Sequence, residues 1–249
     1  MTETDARMAK QRLLPPLFFI HIMKTAGTAL RQSIRAQFDD RELYPSRHYD
    51  PDFFHAHTSI EYLVGRPPDR RARIRAYMGH FPYVATELLR QELVTLTVLR
   101  EPVDRTVSHL KHLHFYTPQN RDRSLEEIYE DPILHPCFLR DHQTKMFAFV
   151  EADRPTTYMD VLDIDERRLV LAKATLDKVD LIGFVDCYKR FLEDLEARFG
   201  WRFDKSKRRR VAPAGDVSKE LRRRIEADNA ADLAFYDYAW RNHKPKGSG

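Results

Sequence analysis

The chain has 249 residues, with 42 Lys and Arg against 38 Asp and Glu for a net charge of +4, and it carries two cysteines. That length suits one α/β domain with a substantial core, and so small a charge excess fits a polyanionic ligand without arguing for nucleic acid. Cys137 and Cys187 lie far apart, outside any CxxC or Cys/His cluster of zinc spacing, so a reducing compartment is expected and a structural zinc is not. Residues 1–16, MTETDARMAKQRLLPP, mix charges and lack a signal-peptide core; they read as an N-terminal extension. The domain is read over 17–241 and a disordered tail over 242–249. No apolar run reaches bilayer length, so the expectation is a cytoplasmic protein without a transmembrane segment.

Leu17 to Ile22 is a short apolar run that suits a buried strand of a parallel sheet. Met23 to Thr28 then brings a lysine, two threonines and a glycine, and Leu30, Ile34 and Phe38 recur at helical spacing. A strand, a short polar loop and a helix follow in that order. Such a junction presents unpaired N–H groups and the positive end of a helix dipole, which favours an anion, and Lys24 adds a full charge. The order is not that of a Walker A loop, where the lysine comes last.

Asp39 to Pro68 has no sustained period and reads as irregular, a lid or an acceptor-facing segment; its His48, His55 and His57 read as surface or hydrogen-bond fillers. Ile74 to Met78 is a short strand that delivers Gly79-His80-Phe81-Pro82-Tyr83 at its C-terminal end, where open α/β sheets place ligands. His80, with an ordinary pKa of about 6.5, can serve there as a base. Leu93 to Leu99 is the clearest buried strand, and it stops at Arg100. Glu101-Pro102 opens a helix in which Ser108 lies roughly two turns along, so Arg100 and Ser108 can reach one phosphate beside the Lys24 loop. Arg105 reads as a surface ion pair with Glu101.

Helices are expected over Ser124 to Asp131, Pro136 to Val150, and from an Asp165 cap to about Val179, with a last strand at Leu181 to Phe184. Asp186 reads as the cap of a helix whose stripe of Tyr188, Phe191, Leu192, Leu195 and Phe199 ends at Gly200. The run Lys205 to Arg210 is the densest positive charge, and two helices follow from Ser218 to Trp240.

Four of these segments together resemble the sulfotransferase 2 family, which includes the heparan sulfate 2-O-sulfotransferases and uses 3′-phosphoadenosine 5′-phosphosulfate (PAPS). They are FIHIMKTAGTAL, GHFPY, LREPVDRTVSHL and the C-terminal ELRRRIEADNAADLAFYDYA. The resemblance implies a single α/β domain, with a central parallel sheet flanked by helices, in a P-loop-like sulfotransferase fold. It implies that Lys24, Thr25, Ala26, Gly27, Thr28 and Ala29 bind the 5′-phosphosulfate, with Lys24 also catalytic, and that Arg100 and Ser108 hold the 3′-phosphate. His80 is implied as the base that deprotonates the acceptor. A late basic loop, with Arg208 and Arg210 among its candidates, is implied to cover the 3′-phosphate.

The implied reaction moves a sulfuryl group from PAPS to a carbohydrate hydroxyl and leaves adenosine 3′,5′-bisphosphate, with no metal and no nucleic acid. The chain departs from the family text at Met23, Ala26 and Ala29, where proline, glycine and serine are usual, and at Asp141 and Lys145 of an N-x-Q-T-R-like segment. Two rivals stand beside this reading: a P-loop nucleoside or small-molecule kinase that needs Mg²⁺, and a non-catalytic polyanion-binding module.

Overall fold

The computed structural model describes residues 14–203 and 217–245. Its elements in chain order are β1 (Leu17–Ile20), α1 (Gly27–Arg35), β2 (Leu43–Tyr44), α2 (Phe53–Thr58), α3 (Ile60–Val64), α4 (Pro68–Arg71), β3 (Ala76–Tyr77) and α5 (Val84–Leu88). There follow β4 (Val94–Leu99), α6 (Pro102–Tyr116), α7 (Leu125–Tyr129), α8 (His142–Ala148), α9 (Glu166–Leu176), β5 (Leu181–Phe184), α10 (Tyr188–Phe199), α11 (Lys219–Asp228) and α12 (Ala230–His243). Five strands form one sheet in the order β2-β3-β1-β4-β5, and every pairing is parallel.

The continuous apolar text of β1 and β4 follows from burial on both faces. Alternate residues of β1 feed opposite cores, as strand geometry requires. Phe18 and Ile20 pack with Tyr77, Phe81, Phe147, Phe184 and Phe235 on one face, while Leu17 and Phe19 pack with Leu30, Ile34, Val98, Leu195 and Trp201 on the other. A third cluster ties α6 and α7 to α11 through Val107, Leu110, Ile128, Leu221 and Ile225. Among the described residues no helix is long and apolar enough to cross a membrane.

Several local expectations meet their elements. Glu101 caps α6 by accepting from Val103 N and Asp104 N, Ser124 forms a capping box on α7, Asp165 caps α9, and Gly200 ends α10 at φ 70°. Others need correction. The 39–68 segment is not irregular, because it holds the edge strand β2, in register with β3 at Leu43↔Ala76, and α2 and α3. These elements are too short to carry a period. The expected Pro136–Val150 helix is split into a π turn, His135–Leu139, and α8, with Asp141 at φ 43° between them. Asp186 caps nothing; its carboxylate accepts from the Tyr236 hydroxyl at 3.1 Å. Arg105 is fully buried rather than paired with Glu101, and it donates to the carbonyls of Phe138 and Leu139.

The strand order places the site. The chain leaves β1 toward β2 on one side, and later crosses from β3 over β1 to β4 on the other. The loops after β1 and β4 therefore diverge at the C-terminal edge of neighbouring strands, which opens a crevice at a topological switch point.

Candidate anion site and its histidines

The loop after β1 owes its shape to two residues that are not glycine. Lys24 and Ala26 have φ of 68° and 65°, whereas Thr25 and Gly27 do not share that hand. Backbone that alternates in this way turns successive N–H groups toward one point, a nest suited to an anion. Thr25 fixes the turn, its buried hydroxyl donating to Ile22 O at 2.9 Å. Its side chain is thus structural, and only its N–H is available to a ligand. Gly27, Thr28 and Ala29 follow as the first turn of α1, where N–H groups have no partner within the helix.

Gly27 is required by contact, not by conformation. A Cβ there would fall 2.0 Å from Cδ2 and 2.1 Å from Nε2 of His21. Gly27→Ala is expected to force the ring aside and to cost about 1–3 kcal/mol, as overpacking does. Denaturant unfolding checks this, and an unchanged midpoint would show that the ring has room to move.

Arg100 leaves the tip of β4, and its Nη1 donates to Lys24 O at 3.2 Å. That bond spans the crevice and joins the two loops. Burial and the adjacent Arg100 both depress the Lys24 pKa, so the charge acting on this lysine is that of another cation. Like charges held together in this way favour an anion between them. Ser108, half-buried on α6, stands one turn before His112, whose pKa is lowered by burial and then by Lys24.

On the other side of the loop three histidines meet. His80 stacks on His21 with ring centroids 4.2 Å apart, and His21 stacks in turn on Phe19. The Nδ1–H of His80 donates to His21 O at 2.9 Å, and its backbone N donates to His57 O at 2.7 Å. A bonded Nδ1–H fixes the neutral tautomer and leaves Nε2 with its lone pair. His80 is the half-buried member, whereas His21 and His57 are buried. Desolvation, opposed by the bond to His21 O and assisted by Arg31 and His57, lowers the His80 pKa to about 4, not the ordinary value expected from the sequence.

No protein-family model and no curated protein matches the chain. Geometry must therefore carry the reading. Of the residues singled out in the sequence, Lys24 to Ala29 and Arg100 gather at the crevice, and His80 adjoins them through His21 and Gly27. Ser108 makes no described side-chain bond to either loop, and Arg208 and Arg210 lie outside the described residues. Sequence reasoning passed over Arg31, which acts on His21, His57 and His80 at once, because one arginine within a helix carries no pattern.

Proposed function

We propose that the chain is a PAPS-dependent O-sulfotransferase, transferring a sulfuryl group to a carbohydrate hydroxyl. The observation that carries this reading is the Arg100 to Lys24 bond at the switch point, because it unites two cations, a backbone nest and a helix start in one crevice. A phosphosulfate has the charge such a cradle suits, and the residues present fit it. The donor supplies an activated sulfuryl group; the protein's tasks are to position and to stabilise charge.

Lys24 and the N–H groups of residues 25–29 would hold the 5′ end, with Lys24 facing the oxygen on which charge grows. Arg100 and Ser108 would hold the 3′-phosphate. His80 Nε2 would take the proton of the acceptor hydroxyl as that oxygen bonds to sulfur. The bond between sulfur and the 5′-phosphate oxygen breaks in the same displacement, and adenosine 3′,5′-bisphosphate leaves.

Calorimetry tests the assignment. Adenosine 3′,5′-bisphosphate is expected to bind without Mg²⁺, and Arg100→Ala to weaken it by about 1.5–3 kcal/mol, the worth of a charge-assisted contact. Adenosine 5′-phosphosulfate, which lacks the 3′-phosphate, should lose little. Equal losses for both nucleotides would remove Arg100 from the 3′ end. Magnesium-dependent preference for ATP would make the protein a kinase, and binding of neither would leave a polyanion-binding module. Mass spectrometry of a glycan panel incubated with PAPS identifies the acceptor.

A further inference from the structure

Arg100 lies one residue past the last pair of the β4–β5 ladder, Leu99↔Phe184, yet its main chain is held on both sides by one side chain. Gln143 Oε1 accepts from Arg100 N at 3.0 Å, and Gln143 Nε2 donates to Arg100 O at 2.8 Å. The amide of Gln143 thus extends the sheet by the width of one residue. Gln143 is fully buried, and its own main chain is fixed from elsewhere. Asp232, in the first turn of α12, accepts from Gln143 N at 3.1 Å through Oδ2, and from Thr144 N at 2.7 Å and Thr144 Oγ1 at 2.8 Å through Oδ1. Asp141 completes the circuit, its Oδ1 accepting from Asp232 N at 2.9 Å while its own N donates to Asn229 Oδ1 at 2.8 Å.

We infer that Gln143, anchored by Asp232, is a positioning residue of the anion site: it fixes the main chain of Arg100 so that the guanidinium reaches across to the Lys24 loop. Arginine side chains are long, and their aim depends on where the Cα is held. Packing alone would be satisfied by any apolar side chain of the same volume, whereas the paired bonds to one N–H and one C=O constrain Arg100 in rotation as well as in place. The C-terminal helices act on the crevice by this route. The identity of the anion rests on the transferase reading; the hold on Arg100 does not.

The test uses Gln143→Met in the full chain, which keeps the volume and removes both bonds. Affinities for adenosine 3′,5′-bisphosphate and adenosine 5′-monophosphate are measured, and their ratio isolates the 3′-phosphate. The ratio is expected to shrink by about tenfold, the worth of one charge-assisted hydrogen bond made poorly, while the monophosphate affinity changes less than twofold. A merely structural glutamine would weaken both nucleotides equally and leave the ratio unchanged, and that result overturns the inference. Hydrogen exchange at the Arg100 amide gives a second readout, expected to accelerate in the variant by tenfold or more relative to Val98. Should the wild type bind neither nucleotide, the transferase reading falls, and an Arg100 amide that exchanges equally in both proteins would still overturn the positioning role.

Discussion

Replacing His80 by alanine is expected to lower sulfuryl transfer by about 10²–10⁴-fold, the contribution of a positioned general base, while affinity for adenosine 3′,5′-bisphosphate stays near wild type. The expectation follows from the bond between Nδ1–H and His21 O, which leaves Nε2 as the only nitrogen able to take a proton. The pH profile follows from the surroundings of the ring. Free His80 has its pKa lowered to about 4, chiefly by desolvation, so kcat/KM should keep its base neutral well below pH 6. A phosphosulfate beside the ring opposes that shift, and the acidic limb of kcat should therefore lie higher than that of kcat/KM. A folded, fully active His80→Ala protein would move the base elsewhere, with His57 the next to test. An unfolded one would make the histidine structural, and His80→Gln, which retains a donor for His21 O, then separates the two roles.

Acid should unfold the protein well before most of its carboxylates protonate. His21, His109 and His142 are buried, and desolvation holds each pKa well below the ordinary value. These imidazoles stay neutral in the folded chain but bind protons in the unfolded chain below about pH 6.5, so stability is intact above that pH and is lost as the pH falls. Each group contributes a slope of about 1.4 kcal/mol per pH unit, so three remove about 4 kcal/mol by one unit below pH 6.5, a large part of the 5–15 kcal/mol typical of a domain. Asp141 opposes the trend, since burial and Asp232 raise its pKa, but His57, His80, His112 and His135 are also lowered and act with the three. Denaturant midpoints at pH 7.5, 6.5, 6.0 and 5.5 should fall steeply over the last two steps. A flat series would show that these rings gain protons without unfolding.

The same balance of burial and pattern explains what the sequence disclosed. β4 was legible because apolar and β-branched residues run without interruption, and the Lys24 loop because a strand and a helical period bracket it. The two-residue strands β2 and β3 borrow their stability from neighbours and leave too little text to read at full length. Arg105 was misread because Glu101 stands at helical spacing, while the carbonyls that hold it lie 33 and 34 residues away in sequence. At the site, residue types were visible and their orientation was not. Nothing in the text tells that Thr25 turns its hydroxyl inward, that His80 has its tautomer set by a main-chain oxygen, or that Gln143 bonds to Arg100.

Lys24 and Ala26 hold left-handed backbone without being glycine, a conformation that costs such residues roughly 1–2 kcal/mol each. A loop of glycines would reach the same shape more easily and leave it more easily. Here the wandering of the empty loop is curtailed when the protein folds, so little ordering entropy remains to be lost when an anion arrives, and affinity gains by that difference. Stability and binding are thereby set against each other at one position: glycine in place of Ala26 relaxes the fold and loosens the grip, a trade-off between a steadier protein and a readier site.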